Sequence, residues 1–557
     1  MFVDMENNMY RNEALDDYMR EISSRIVAES GIAGDRYHLG KLILQGLRED
    51  PEFVSQIDGG TGESETNGSV LRRSIRCATS FRSMGMKTGD VMVLMAPNHL
   101  DQAVPFYAAL FEGIIVATID RTLGVYELKD TFAIDKPKII FCQSDKVQDV
   151  QKAVDLLGLD AKIISFDSSP DTLSFSEMME KYGEDTDAQD FKTADFDAEK
   201  TIALIVATSG TTGLPKSAIL THKNIVTTTP YACCFSTKFP YPTKSALIVS
   251  PLQWMSAIIH YLLAPFIKYT RVQSSMPATT EHIFDMIQKY EPTLLIISPP
   301  MMITLQKAAE NFKCDFSCFD VIYIGGSAAS ENLLQELRRM TPNTKVADAY
   351  GMSELGSIAG YCFNSRPGSC GRRFAFIEYK LMNVETGEEV KEANKCGELW
   401  LRSPGEFKGY YNNPEVTAEV ITEDKWFKTG DLVYRDEDWY FYFVDRIKLL
   451  LKYKNHQISP VELETVIRQH PGVSDVAVTG VPDPESGELP FAFVVPRPGA
   501  EPSAQEIKDL VKENLTDTKQ LRGGVVFLTE LPLTATTKVD RRKLKAMAVA
   551  MKKETAL

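Results

Sequence analysis

No stretch of this 557-residue sequence stays apolar long enough to cross a bilayer, which takes about 18–20 residues. Ser256–Ile267 is interrupted by His260 and Pro265 and stops at Lys268, and Val91–Ile119 is broken by Asn98, His99, Asp101 and Gln102. Positive charge is in deficit. Against 76 Asp and Glu stand 61 Lys and Arg, a net charge of −15, which argues against nucleic acid as a partner and leaves room for a local basic pocket around a small anion. Cysteines are scattered, odd in number (nine) and never spaced Cys-x-x-Cys, so unpaired thiols in a reducing compartment are expected. Cys314 and Cys318 have neither a His nor a second Cys pair to complete a zinc set. The first residues are acidic, unlike a secretory signal. The final Thr555-Ala556-Leu557 shares only its Leu with the peroxisomal Ser-Lys-Leu address, so a cytoplasmic location is expected. No repeat is present, and 34 Gly with 28 Pro exclude collagen-like and low-complexity chains.

What is present is an alternation. Val91–Met95, Lys138–Phe141, Thr201–Val206, Ala246–Val249, Thr293–Ile297 and Val321–Ile324 are short apolar runs that read as buried strands. Val70–Met84, Thr280–Tyr290 and Ala328–Met340 have helical spacing. Strand–helix alternation predicts α/β architecture, parallel sheets covered by helices, with ligands at the carboxyl ends of the strands. Asp58–Gly68, rich in Gly, Ser, Thr and Glu, reads as a surface loop. Past Leu399 the pattern turns aromatic and strand-like. The last hundred or so residues then read as strand, helix (Pro460–His470), strand (Val476–Thr479), strand (Phe491–Val495), helix (Ser503–Leu515) and strand (Val525–Leu528). The expected organisation is a large N-terminal body of helix-covered sheets, residues 1–444, and a smaller α+β C-terminal cap, residues 445–557.

The densest chemical signal is Thr208-Ser-Gly-Thr-Thr-Gly-Leu-Pro-Lys216, directly after a predicted strand. Glycines let backbone N–H groups approach phosphate oxygens, hydroxyls donate further hydrogen bonds, and the lysine brings positive charge. It is not the Walker A loop, since Gly-Lys-Ser/Thr is absent.

From this loop onward the sequence resembles the adenylate-forming superfamily, which includes acyl-coenzyme A synthetases, hydroxycinnamate–coenzyme A ligases and beetle luciferases. Asp348-Ala-Tyr-Gly-Met-Ser-Glu354 resembles its aromatic–Gly–x–Thr/Ser–Glu motif and Thr429-Gly-Asp431 its ribose motif. Asp445-Arg446 and Lys452–Glu464 resemble its hinge and first cap helix, and Leu521–Phe527 with Lys538-Val-Asp540 close the set. Motifs in order are far more specific than any one alone. The Leu521–Phe527 block and the segment after Lys448 resemble those of insect luciferase-like acyl-coenzyme A synthetases.

The resemblance implies an ATP-dependent acid–thiol ligase. A hydrophobic carboxylic acid, fatty or aryl, would be activated as acyl-AMP and passed to coenzyme A, with Mg²⁺ and lysines cancelling the repulsion between anions. It implies that Thr208, Ser209, Gly210, Thr211, Thr212, Gly213 and Lys216 hold the β- and γ-phosphates. Tyr350 would stack on adenine, beside Gly351, with Gly325, Gly326 and Ser327 as the other wall. Asp348 would meet the adenine amino group and Ser353 the α-phosphate. Glu354, with Thr211, would face Mg²⁺. Asp431 would accept the ribose hydroxyls and Arg446 add a second contact. Lys538 would serve adenylation and Lys452 thioester formation, the mobile cap turning about a hinge at 445–448. Trp254, Met255, Ser256 and Met352 would line the acyl pocket.

Four positions depart from the family pattern. Ser217 stands where Gly follows the loop lysine, Asn455 where Gly is usual, Thr537 before Lys538 in place of Gly, and Trp254 where many relatives carry His. Trp254 weighs against aryl and luciferin-like substrates. Two alternatives stay open on the sequence: a luciferase-like oxygenase acting on its adenylate, and a nucleotide-binding relative weakened in catalysis.

Overall fold

The computed structural model describes residues 2–4, 9–11, 13–30, 37–208, 216–233, 244–312, 314–327, 329–362, 366–374, 376–453, 456–483, 486–534 and 538–555. They form two compact units, one of residues 1–379, 401–427 and 438–440, the other of 380–400, 428–437 and 441–557.

Two α/β sheets dominate the first unit. One has seven strands in the spatial order Lys216–Thr221, Ile202–Thr208, Ile115–Thr118, Val91–Met95, Ile139–Cys142, Lys162–Ser165 and Leu173–Ser174. All its neighbours are parallel except the first pair. Every residue of Val91–Met95 is buried, as expected of a parallel strand covered on both faces. The other sheet has nine strands, with Lys345–Met352, Val321–Gly325, Leu294–Ile297, Ser245–Leu247, Thr270–Gln273 and Val54–Asp58 forming its parallel centre.

The helices follow their caps. Thr280–Tyr290 starts where the Thr279 side chain accepts from the His282 N–H, buries Ile283, Phe284, Met286 and Ile287, and stops at Glu291 in the left-handed region. The helix expected from Ala328 begins at Glu331, because Ser330 is its cap and accepts from the Leu333 N–H. The stretch Asp58–Gly68 is not all loop. Ser64–Thr66 pairs antiparallel with Val54–Asp58, held by polar contacts from Glu65 to Gln56 and Arg73 that leave no hydrophobic alternation in the sequence.

In the second unit a sheet of antiparallel Gly487–Pro496 and Val473–Asp483, with Gly524–Phe527 parallel to the former, has both faces covered. Val476 and Val478 face the helices Pro460–Ile467 and Ala504–Asn514, while Ala477, Phe491 and Phe493 pack against Leu544 and Ala548. Those last two lie on a helix, Arg541–Thr555, that the basic run there had hidden from the sequence reading. Arg541 anchors it, donating to both oxygens of the buried Glu464 at 2.8 and 3.1 Å. Among the described residues no helix is long and apolar enough to cross a membrane.

His260 in the first unit offers a test of this core. It is buried, its Nδ1 lies 3.0 Å from the Tyr269 hydroxyl, and burial together with the charge of Arg271 pushes its pKa down to about 3. The unfolded chain titrates this ring near 6.5, so its stabilising contribution is full above that pH and is lost as pH falls towards 3. His260→Asn is therefore expected to lose less stability than the parent between about pH 7 and pH 4.5 in urea melts. Parallel declines would contradict the assignment.

Candidate active site

The hairpin that carries the glycine-rich loop is closed at its base by Thr208, whose hydroxyl donates to the Lys216 carbonyl at 3.1 Å. Strand residues Ala203–Val206 are buried, and Thr208 ends the strand at the sheet's carboxyl end. Ser209, Gly210, Thr211, Thr212 and Gly213 lie outside the described residues, and so does the proposed Thr211 metal contact.

The strand starting at Lys216 has a second partner on its free edge. The Ile219 N–H donates to the Gly409 carbonyl (3.0 Å), the Tyr411 N–H donates to the Ser217 carbonyl (2.8 Å), and Ala218 bridges Tyr410. Position 409 requires glycine. Its φ is +106°, and a Cβ there would sit 2.3 Å from the Thr417 methyl. This pairing brings Tyr410 over the strand. Its hydroxyl donates to Glu354 Oε1 at 2.8 Å, and the Lys216 ammonium lies 5.2 Å from its ring centre. Met352 packs on the same cluster, with Ala218, Phe407, Tyr410 and Phe427. Lys216, Met352 and Glu354, distant in sequence, are thus brought together by a tyrosine that sequence reasoning missed. The Gly409-Tyr410-Tyr411 step was its only local signal, and nothing in the sequence pairs that step with the Lys216 strand.

Glu354 sits on a single 3-10 turn, Ser353–Leu355, ended by Gly356 at φ +65° and tied down by the Thr229 hydroxyl, which donates to the Gly356 carbonyl at 3.1 Å. The turn follows the strand Lys345–Met352, whose pairing with its antiparallel neighbour shifts between Tyr350 and Gly351. Beside it the strand Val321–Gly325 ends in Gly326 (φ +91°) and Ser327. Gly325 lies opposite Ala349, and a Cβ on it would meet the Ala349 carbonyl at 2.7 Å. The two strand ends therefore approach closely as bare backbone, with Asp348 and Tyr350 alongside. Burial pushes the Asp348 carboxyl up to about 7 against the lowering effect of the Ala349 N–H.

Trp254, Met255 and Ser256 stand at the start of the helix Met255–Ile267, after the strand Ser245–Leu247 and so at the same carboxyl edge. Ser256 Oγ is 2.7 Å from Ser250 Oγ, and Asn98 donates to the Ser250 carbonyl at 2.9 Å. This group belongs to the Ser245–Leu247 strand end, whereas Met352 belongs to the Tyr410 cluster. Ser217 is buried, its hydroxyl donating to Asp135 Oδ1 at 3.0 Å. Glu354 offers a carboxylate, and no cluster of three potential metal ligands occurs among the described residues. That donor set suits a hard cation held largely by phosphate oxygens and water.

In the second unit Asp431 and Arg446 face each other across antiparallel strands, Arg446 Nε 2.6 Å from the buried Asp431 carboxylate. Thr429 donates to the Leu399 carbonyl (2.7 Å), and its Oγ1 accepts from the Asp431 N–H (3.0 Å). Asp445 is buried and accepts from the Ser459 hydroxyl and the Val461 N–H, fastening the strand end to the helix Pro460–Ile467. Lys452 is exposed, its N–H donating to Glu488 Oε2 at 3.0 Å. Lys538 is also exposed, on a loop closed by the bridge between Leu533 and Val539 and by the Thr534 N–H donating to the Lys538 carbonyl at 2.7 Å. Asn455 and Thr537 lie outside the described residues.

Comparison with known proteins extends this picture. Residues 45–411 match the model of the AMP-binding enzyme family, and residues 462–538 that of the AMP-binding enzyme C-terminal domain. The chain is 33% identical over 507 residues to a luciferin 4-monooxygenase of Photuris pensylvanica, covering 89% of this chain and 92% of the relative. It is 29% identical over 529 residues to 4-coumarate-CoA ligase 1 of Narcissus pseudonarcissus, covering 93% and 94%. The crystal structure of ATP-bound MatB from Rhodopseudomonas palustris has the same fold, with a TM-score of 0.82 at 22% identity over 92% of this chain and all of that one.

The bare-backbone approach at Gly325 is directly testable. Gly325→Ala is expected to cost about 1–3 kcal/mol of stability through its clash with the Ala349 carbonyl, read as a lowered urea midpoint. An unchanged midpoint would mean that the two strand ends are not pressed together.

Proposed function

The chain belongs to the AMP-binding enzyme family, and from that premise we propose that it activates a hydrophobic carboxylic acid as its acyl-adenylate and transfers the acyl group to coenzyme A. The observation that carries this reading is the grouping of Lys216, Tyr410 and Glu354 at the base of the hydroxyl-rich turn. Adenylation must bring a carboxylate to a triphosphate. The acid oxygen attacks the α-phosphorus, the bond to the bridging oxygen breaks, and pyrophosphate leaves. The protein's task is then to position two anions and neutralise them.

In this reading Lys216 and the hydroxyls of the turn hold the β- and γ-phosphates. Adenine lies between Tyr350 and the Gly325-Gly326-Ser327 backbone, with Asp348 near its amino group. Ser353 contacts the α-phosphate, and Asp431, set by Arg446, accepts the ribose hydroxyls. Glu354 would help hold Mg²⁺, which neutralises phosphate charge when bound. Tyr410 orients Glu354 and shares its ring with Lys216. Lys538 stabilises the attacking carboxylate and the α-phosphate. Lys452 serves the second half-reaction, in which the thiol sulfur attacks the acyl carbon and AMP leaves. A turn of the C-terminal part about residues 445–448 presents one lysine after the other. Trp254, Met255, Ser256 and Met352 favour an apolar acyl group. Fatty acids are the first candidates, since Trp254, standing where many relatives carry His, weighs against aryl acids. We place the reaction in the cytoplasm.

The similarity to luciferin 4-monooxygenases supports a second reading, oxidation of an adenylate by O₂. Light emission on mixing with luciferin, ATP and Mg²⁺ would favour it over thioester formation.

The experiment is pyrophosphate exchange with a panel of fatty and aryl acids, followed by thioester formation on adding coenzyme A. Exchange that depends on a hydrophobic acid is expected. Lys538→Ala should lower it by about 100-fold or more, the scale set by removing one charge-stabilising group from a preorganised site. Lys452→Ala should instead slow the thioester step. Absence of exchange with every acid tested would refute the proposal.

A further inference from the structure

Ser217 occupies a position where the family pattern has glycine, and the structure shows what the extra hydroxyl does. It is buried at 5% exposure and donates to Asp135 Oδ1 at 3.0 Å; Asp135, 2% exposed, is the last residue of the helix Val125–Asp135. Burial pushes this carboxyl up to about 7, and the Ser217 hydroxyl is the group that opposes the shift. The Ser217 carbonyl accepts from the Tyr411 N–H at 2.8 Å. One residue on, the Asn412 amide donates to the Ile134 carbonyl at 2.7 Å, at the same helix end. A single helix terminus therefore holds two segments, one bearing Lys216 and the other Tyr410.

We infer that Asp135 and Ser217 are positioning residues for nucleotide binding: their hydrogen bond clamps the Lys216 strand to the helix end that Asn412 also grips, and through the Ser217–Tyr411 pairing sets the ammonium over the ring and the phenol against Glu354. Neither residue touches the nucleotide. A hydrogen bond to an ionisable group, once broken in a buried place, leaves its partner unsatisfied, and the segments respond by shifting. Glycine at 217 would give the strand more backbone freedom and no tie to the helix. The inference rests on the nucleotide-binding part of the proposed function, not on the identity of the acid.

The test is titration calorimetry of ATP with Mg²⁺ on the full chain, with a urea melt of each variant. Ser217→Ala and Asp135→Ala are each expected to raise the Kd for ATP about tenfold, and the double variant no further than the worse single one, because both remove the same bond. Asp135→Asn keeps a carbonyl oxygen for the Ser217 hydroxyl and should stay within about twofold of the parent. If the alanine variants unfold, Ser217→Gly and Asp135→Asn carry the same contrast. Unchanged Kd values in folded Ser217→Ala or Ser217→Gly overturn the inference, and so does additive loss in the double variant or equal loss in Asp135→Asn. A parent that binds ATP with this pattern yet activates no acid sinks the proposed function and leaves the clamp standing; a parent that binds no ATP sinks both.

Discussion

The arrangement depends on one short stretch of backbone pairing, Gly409–Tyr411 along the free edge of the Lys216 strand. It sets a phenol between an ammonium and a carboxylate. A direct Lys–Glu pair would satisfy both charges and leave nothing for a ligand. With Tyr410 between them, Glu354 receives a hydrogen bond and Lys216 a ring face. The glycine at 409 is what permits this, since any side chain there would run into Thr417.

The same logic of bare backbone recurs at the carboxyl ends of the parallel strands. Gly325 lies under the Ala349 carbonyl, Gly326 takes a left-handed turn, and Gly356 ends the 3-10 turn that carries Glu354. Each glycine occurs where the chain must turn sharply or approach another strand. In the second unit the equivalent economy is polar: the half-exposed Arg446 faces the buried Asp431, and Asp445 accepts from the Ser459 hydroxyl and the Val461 N–H at a helix start. In the proposed reaction Lys452 and Lys538 would act only as well as the unit that carries them is ordered.

Much of this was legible in the sequence. The strands Val91–Met95 and Val321–Gly325 announce themselves by unbroken apolar runs, and the helix Thr280–Tyr290 by its spacing and Thr279 cap. The adenylate-forming character was carried by ordered motifs, and the family match bears it out. What escaped was information held between distant segments. Tyr410 has no periodic signal, Ser217 departs from the family glycine but bonds Asp135, and the helix Arg541–Thr555 buries Leu544 and Ala548 beneath a basic surface. The strand Ser64–Thr66 was missed because charge pairing, not apolar alternation, holds it.

The most direct measurement is a crystal structure of the protein with a non-hydrolysable acyl-adenylate analogue. The account predicts adenine seated between Tyr350 and the Gly325–Ser327 backbone, the phosphate-mimicking group within reach of Ser353, and the Tyr410–Glu354 hydrogen bond intact. An analogue bound elsewhere, or Tyr410 swung away from Glu354 to make room for it, would contradict the account.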